Sequence, residues 1–191
     1  MMEAIAALTT RVSGNVLIEP APDEAALQTL LRAATRAPDH GKLRPWRFTI
    51  IRGAARQRFG ALMAEALTRR HPGATAAQIE KERSKPLRAP VILVVGAKVD
   101  EQSRIPAIEQ VLSSAAAAEN VMVAAFALGF GCAWKTGEAA YDARIKAAFD
   151  LAPHDAIVGF LYLGSNANPP ALPVPVDLAA HVVEWTDQAS P

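Results

Sequence analysis

A long run of small and apolar residues, Ile105 to Gly129, sets the strongest limit on the folds open to this chain. Its composition predicts one helix, roughly 37 Å long at about 1.5 Å per residue. Alanine and serine occur on nearly every side of that helix, so neighbouring backbones can approach it closely. We therefore expect a central helix packed on several faces, one of which either completes the core of a monomer or forms a subunit interface.

Polar residues within this run argue against a membrane span. Ser113, Ser114, Glu119 and Asn120 interrupt it, and a bilayer core tolerates such groups poorly. The N-terminus, MMEAIAALTTRV, has a short apolar run and carries Glu3 where a signal peptide has positive charge. The sequence predicts a soluble, cytoplasmic protein without a membrane partner.

The length of 191 residues favours one domain, and apolar periodicity predicts that it contains both helices and strands. Pro90 to Lys98 is a continuous, β-branched apolar run, which is typical of a strand buried on both faces. Asp23 is suited to cap a helix whose Leu27, Leu30 and Leu31 share one face. The predicted order is α, α, β, α, α, β, α, β, α, β, which indicates a layered α/β or α+β domain. The predicted helices are 2–10, 24–37, 54–70, 74–85, 105–129 and 141–151, and the predicted strands are 47–53, 90–98, 131–136 and 156–165.

The C-terminal part differs in composition from the rest. From Asn168 onward the chain contains Pro169, Pro170, Pro173 and Pro175, which cannot pair as a normal strand. We expect residues 1–191 to form one domain whose last part, about 168–191, is an extended tail lying on another surface.

Charge and cysteine content exclude several classes of function. Lys and Arg number 20 against 19 Asp and Glu, so the net charge gives no reason to expect a nucleic-acid partner. Cys132 is the one cysteine, which excludes an intrachain disulfide and a thiolate metal cluster and suits a reducing compartment. No pair among the four histidines has the spacing of a helical metal site, so no metal is predicted.

Cationic and hydroxyl side chains instead occur at the ends of predicted elements, where they are free to converge on a ligand. Phosphate is held by such groups, each charge-assisted hydrogen bond contributing about 1.5–3 kcal/mol. Scattered surface arginines would give the same pattern. Spacing alone therefore does not distinguish a phosphate site from ordinary surface charges. The residues are Arg11, Ser13, Arg36, His40, Lys135 and Thr136.

Four stretches of this sequence resemble the nitroreductase family of flavin enzymes, and in particular its small bacterial branch. An Arg-x-Ser element follows the first helix, RAPDHGKLRPWRF leads into a strand, ALGFGCAWKTG joins the long helix to the next strand, and IVGFLYLG forms the last core strand. The resemblance covers residues of about 3 to 165.

This resemblance implies an α+β, nitroreductase-like fold with a central mixed β-sheet flanked by helices and with the long central helix at a dimer interface. It implies a homodimer that binds FMN at the subunit interface. It further implies hydride transfer from NAD(P)H through the flavin to an acceptor such as a nitroaromatic or quinone-like compound.

The resemblance also implies roles for particular residues. Arg11 would hold the FMN phosphate beside Val12 and Ser13, and Arg36 and His40 would reach the flavin from the other subunit. His40 is the candidate general acid, and no other catalytic residue is implied. The remaining implied site residues are Trp134, Lys135 and Thr136 at the flavin, and Ala124, Ala125, Phe126, Ala127, Leu128 and Gly129 at the nicotinamide nucleotide.

The sequence departs from the family pattern at three places. Val12 replaces the second arginine of the Arg-Arg-Ser element, Asn15 or Val16 occupies the next basic position, and Lys42 to Arg44 lacks the Asn and Gln of many relatives. Two alternatives therefore stay open. One is a flavin-binding or storage protein without efficient turnover, and the other is a structural protein with a degenerate site.

Overall fold

The computed structural model describes residues 2–168, 171 and 173–185. Six helices and five strands lie in these ranges, together with short 3-10 turns at His40–Lys42, Lys85–Arg88, Glu138–Tyr141 and Leu178–Ala180. In chain order they are α1 (Ala4–Thr10), β1 (Leu17–Ile18), α2 (Glu24–Ala34), β2 (Trp46–Arg52), α3 (Ala55–Arg70), α4 (Ala76–Ser84), β3 (Val91–Ala97), α5 (Ala107–Ala127), β4 (Gly131–Lys135), α6 (Ala143–Ala148) and β5 (Ala156–Asn166).

The last strand in sequence, β5, lies inside the sheet. Leu161 of β5 is paired with Leu93 of β3 on one side and with Trp134 of β4 on the other. The outer strand β2 pairs with β3, and the two residues of β1 pair with the end of β5.

All four strand pairings are antiparallel, so the expectation of a mixed sheet is wrong. The connection through α5 makes β4 run parallel to β3 but leaves space for one more strand between them. The strand β5 fills that space in the opposite direction, which makes both of its pairings antiparallel. The α+β class is confirmed.

Helices cover both faces of the sheet, and β3 shows this directly. Val91, Leu93 and Val95 belong to a core shared with α2 and α5, whereas Ile92 and Val94 belong to a core shared with α3 and α6. Successive side chains of a strand point to opposite faces, so a strand covered on both sides must be apolar throughout. The predicted burial of this strand on both faces is confirmed.

The long helix α5 contacts α1, α2 and strands β2 to β5, and the prediction of a central helix is confirmed. It begins and ends two residues inside the predicted bounds. Gln110 and Ser114 are among its buried residues. By length and composition alone, α5 is also the one helix of the described chain that could cross a bilayer. Its contacts with the sheet identify it as a core helix.

Local signals agree with the helix starts. The Asp23 carboxylate accepts a hydrogen bond from Ala26 N (2.8 Å) at the start of α2, as predicted. Thr75 and Gln78 form a reciprocal capping box at the start of α4.

The described part of the tail contains one short turn, Leu178–Ala180, and no strand. Val174, Val183 and Trp185 are each more than four-fifths exposed. Pro169 and Pro170 lie outside the described residues, and packing of the tail on another surface stays a prediction.

Candidate functional site

A cavity of about 340 Å³ lies on the α3 side of the sheet, beside the end of β4. Ala133 of β4 and Phe160 and Tyr162 of β5 point to this face of the sheet. Their side chains form an apolar floor. Cationic and polar residues form its rim. The residues lining it are Gly14, Asn15, Leu17, Met63, Lys85, Arg88, Ala133, Lys135, Thr136, Gly137, Phe160 and Tyr162.

Close packing of the segment after α1 against β4 forms one wall of the cavity. Gly14 N donates a hydrogen bond to Cys132 O (2.9 Å). A Cβ at Gly14 would lie 2.6 Å from Leu17 Cδ2 and 2.7 Å from Asn166 Oδ1, so a larger residue there would have to displace the Leu17 and Asn166 side chains.

The rim of the cavity is positively charged. Lys85 forms an ion pair with Glu82, while Arg88 and Lys135 have no side-chain acceptor in the part of the chain that the structure describes. No acidic residue is among the described residues that line the cavity. Such an excess of one charge attracts a ligand of the opposite charge, so the cavity suits an anion.

The Tyr162 hydroxyl adds a neutral polar group. The residue is 6 % exposed and lines the cavity. Burial raises the pKa of Tyr162 to about 12, although the nearby Arg88 lowers it, and Glu82 raises it further. The phenol therefore stays protonated and can donate a hydrogen bond into the cavity.

Arg11 lies next to this cavity in sequence but extends toward α5. Its side chain is 24 % exposed, and Nε donates to Glu119 Oε1 (3.1 Å). Nη1 is enclosed and has no hydrogen-bond partner among the described residues. Val12 is half-buried and Ser13 is exposed. These three residues lead into Gly14 and Asn15 but do not themselves line the cavity.

The thiol of Cys132 shares the surroundings of the Arg11 guanidinium. Burial raises the pKa of the Cys132 thiol to about 12, while Arg11 lowers it and Glu119 raises it. The thiol is therefore protonated and inert.

Arg36 lies in a separate groove of about 410 Å³ between α1, α2 and α5. Glu119, Asn120 and Ala124 also line that groove. Within the predicted nicotinamide segment, Ala125 is buried, Phe126 and Ala127 are half-buried, and Leu128 and Gly129 are exposed. None of these residues lines the cationic cavity in a single chain.

His40 lies in a third place, near the start of α5. Its Nδ1 is 2.7 Å from Glu109 Oε2. The two side chains line a groove of about 250 Å³ with Leu112 and Ser113, and Ser113 Oγ is enclosed without a hydrogen-bond partner in the described residues. One chain therefore does not bring Arg36 or His40 to the cavity that Lys135 and Thr136 line.

Trp134 faces away from the cavity. It precedes Lys135 on a strand, so the two side chains point to opposite faces. The indole Nε1 donates to Val158 O (3.1 Å), and a Cβ at Gly159 would lie 2.1 Å from that nitrogen. Gly159 thus leaves room for the indole.

Sequence reasoning missed several residues of the site. Lys85 and Arg88 flank a proline and a leucine just before β3, and two cations at an element end could have been recognised as a site signal. Tyr162 lies two residues after Phe160 on β5, so the two share a face of the sheet.

Comparisons with known proteins identify the family. The sequence model of the Nitroreductase family matches residues 17–165. The Escherichia coli K12 protein named "Putative NAD(P)H nitroreductase YdjA" is 40% identical over 164 residues, which cover 86% of this chain and 88% of that one. A Haemophilus influenzae protein named "Putative NAD(P)H nitroreductase" is 32% identical over 166 residues, covering 86% and 89% of the two chains.

Solved structures agree with this fold. A nitroreductase-like family protein from Bacillus cereus superposes with a TM-score of 0.78 at 23% identity, and the match covers 97% of each chain. A Bacteroides fragilis nitroreductase solved with bound FMN gives a TM-score of 0.73 at 17% identity, covering 97% of this chain and 100% of that one. By sequence and by fold, this chain belongs to the nitroreductase family.

Proposed function

We propose that this protein is an FMN-dependent oxidoreductase that passes a hydride from NAD(P)H through the flavin to an acceptor such as a nitroaromatic or quinone-like compound. The observation that carries the proposal is the cavity at the end of β4, with its apolar floor and cationic rim. The family supports it, as do the names of the relatives and the bound FMN of a structural neighbour.

The residues present fit this cofactor. FMN combines a flat ring system with a phosphate, and the cavity combines an apolar floor around Phe160 with a positively charged rim. Arg88 and Lys135 line the cavity and have no side-chain acceptor among the described residues, so a phosphate oxygen there could accept hydrogen bonds from them. Arg11 does not line the cavity of the single chain, but its Nη1 has no partner among the described residues and its segment leads into Gly14 and Asn15. To reach a phosphate in the cavity, the Arg11 guanidinium would have to turn away from Glu119.

We assign the phosphate to Arg11, Ser13 and Lys135, with Val12 contributing packing and Thr136 a hydroxyl. Guanidinium, ammonium and hydroxyl groups all donate strong hydrogen bonds to phosphate oxygens. Trp134 supports the site from the opposite face of the sheet, where its hydrogen bond to Val158 O fixes the end of β4.

When bound, FMN supplies the two-electron chemistry between the nicotinamide and the acceptor. The protein holds and orients both ligands. Lys85 and Arg88 at the cavity rim would stabilise a bound group that carries negative charge, because fixed cations in a partly dehydrated cavity act strongly. The protonated Tyr162 hydroxyl adds a neutral donor, and the apolar floor excludes water.

We further propose a homodimer in which Arg36 and His40 of one subunit complete the site of the other. The exposed side of α5 and the adjacent α1 present apolar side chains, among them Ile5, Leu8, Ile108 and Leu112. The grooves that contain Arg36 and His40 lie along the same helix. A second copy would cover these side chains and bring the segment from Ala124 to Gly129 to the nicotinamide nucleotide.

Sedimentation of wild type and Leu112→Glu tests this assembly. Leu112 is 58 % exposed in the single chain, so the fold tolerates a charge there, whereas a buried dimer interface does not. We expect a wild-type dimer and a folded monomeric variant with weakened FMN binding. A monomeric wild type would contradict the assembly.

Anaerobic mixing of the FMN-loaded protein with NADH or NADPH tests the enzyme. We expect rapid loss of flavin absorbance with one of the two donors and its return on addition of an acceptor. A flavin that stays oxidised would favour a storage protein without efficient turnover.

We also propose that the protein acts in the cytoplasm, in keeping with its single buried thiol. Fractionation of the source cells tests this placement.

A further inference from the structure

One partner of Arg11, a residue assigned to the phosphate, has no role in the proposed function. Arg11 Nε donates to Glu119 Oε1 at 3.1 Å, joining the end of α1 to the middle of α5. The Glu119 side chain is 44 % exposed, and Arg11 is its one ion-pair partner among the described residues. Glu119 thus occupies one donor of a guanidinium that still has an enclosed, unpartnered Nη1.

The pair matters because Glu119 places a negative charge beside one of the two cations assigned to the phosphate. A phosphate monoester carries a charge of about −1.5 to −2 near neutral pH. Val12 stands beside Arg11 and contributes no charge, so Arg11 and Lys135 are the two cations assigned to the phosphate. The carboxylate of Glu119 cancels one of these two charges.

Resting on the proposed FMN site, we infer that Glu119 is a specificity-determining residue that competes with the flavin phosphate for Arg11 and so limits the preference of the site for FMN over riboflavin. The phosphate and Glu119 both require the same guanidinium. Riboflavin has no phosphate, so its binding does not depend on this competition.

Replacing Glu119 by glutamine isolates the charge. The amide oxygen of Gln can still accept the hydrogen bond from Arg11 Nε, so the guanidinium keeps its position while the negative charge is removed. The same substitution at Glu24 is a matched control, because Glu24 pairs with Arg52 at 3.4 Å on another part of the surface.

The experiment measures dissociation constants for FMN and for riboflavin by quenching of flavin fluorescence at low ionic strength. We expect Glu119→Gln to bind FMN about tenfold more tightly than wild type, which corresponds to about 1.4 kcal/mol. Riboflavin affinity should stay within about twofold, and Glu24→Gln should change neither constant. The ratio of the two constants is read from folded protein and needs no turnover.

A second comparison tests the route through Arg11. In an Arg11→Met background, the guanidinium is gone and Glu119→Gln should no longer tighten FMN binding. The inference is overturned if Glu119→Gln leaves FMN affinity unchanged or weakens it, if it tightens both flavins equally, or if its effect persists without Arg11. If the wild-type protein binds neither flavin, the proposed function fails and this inference fails with it. If the wild-type protein binds FMN but Glu119→Gln does not change the affinity, only this inference fails.

Discussion

Asp142 links the turn after β4 to helix α3, and its replacement by asparagine is expected to destabilise the protein. One carboxylate oxygen, Oδ1, accepts hydrogen bonds from Arg144 N (3.0 Å) and Ile145 N (3.1 Å) at the start of α6. The other, Oδ2, accepts from Arg70 Nη1 at 2.7 Å. The side chain is 9 % exposed, so water screens the ion pair weakly.

The size of the effect follows from these contacts. Asparagine caps a helix about as well as aspartate, so Asp142→Asn keeps the cap. Its side chain has one acceptor oxygen, so its NH2 group replaces Oδ2 and cannot accept the hydrogen bond from Arg70. A hydrogen bond to a charged group contributes about 1.5–3 kcal/mol, and water that reaches the Arg70 side chain, which is 24 % exposed, offsets part of that loss. We expect Asp142→Asn to lower the free energy of unfolding by about 1–2 kcal/mol. Asp142→Ala also loses the cap, worth about 1 kcal/mol, for a total of about 2–3 kcal/mol.

The effect should depend on pH in a defined direction. Burial by itself would raise the pKa of Asp142, but the hydrogen bonds from Ile145 N, Arg70 and Arg144 N outweigh it, and the pKa is lowered. A carboxyl whose pKa is lower in the folded state stabilises the fold above its unfolded pKa, about 3.9, and loses this contribution as the pH falls through its folded pKa. The difference between wild type and Asp142→Asn should therefore narrow below about pH 4.

Urea unfolding followed by circular dichroism, at pH 7 and at steps down to pH 3, measures this difference. Glu24→Gln is the control, since its ion pair with Arg52 is exposed and worth little. A variant as stable as wild type at pH 7, or a difference that does not narrow in acid, would refute the reasoning.

Three further predictions concern the cavity and the core. Lys135→Met removes a cation without an acceptor in the described chain, so FMN should bind about 10- to 100-fold more weakly in a fluorescence titration while thermal stability is kept; unchanged affinity would remove Lys135 from the phosphate. Tyr162→Phe removes a hydroxyl that lines the cavity, so flavin affinity should fall by up to about tenfold with little change in unfolding free energy; a large loss of stability would mean that the hydroxyl has a structural partner. In Gly60→Ala the new Cβ would lie 2.1 Å from Arg83 O, where α3 packs on α4, and calorimetry should show a loss of about 1–3 kcal/mol; an unchanged melting temperature would contradict that close approach.

The helices and the longer strands were predictable because their patterns are local. The run from Val91 to Ala97 is apolar throughout, and α5 is long enough to be recognised from composition alone. Strand direction was not predictable. The strand β5 follows β3 and β4 in the sequence but lies between them in the sheet, and the sequence carries no local signal of that order. The strand β1 has two residues, too few for an alternating pattern, and it exists through its pairing with β5.

The candidate site was predictable in part. Lys135 and Thr136 stand out as polar residues at a strand end, and they do line the cavity. Lys85 and Tyr162 come from distant elements that meet only in the folded chain. Trp134 was expected to line the flavin site together with Lys135. Consecutive residues of a strand point to opposite faces, so the alternation of side chains could have predicted that only one of the two lines the cavity. The pairing of Arg11 with Glu119 depends on how α1 packs against α5 and has no sequence signature.

The decisive measurement for a flavin site in this protein is the visible absorption spectrum after incubation with FMN and desalting, with protein concentration determined independently. We predict a retained flavin spectrum equivalent to about one FMN per chain, and loss of most of that flavin in Lys135→Met. A wild-type protein that is folded but colourless after loading would contradict the proposed flavin site and would leave a nitroreductase fold without its cofactor.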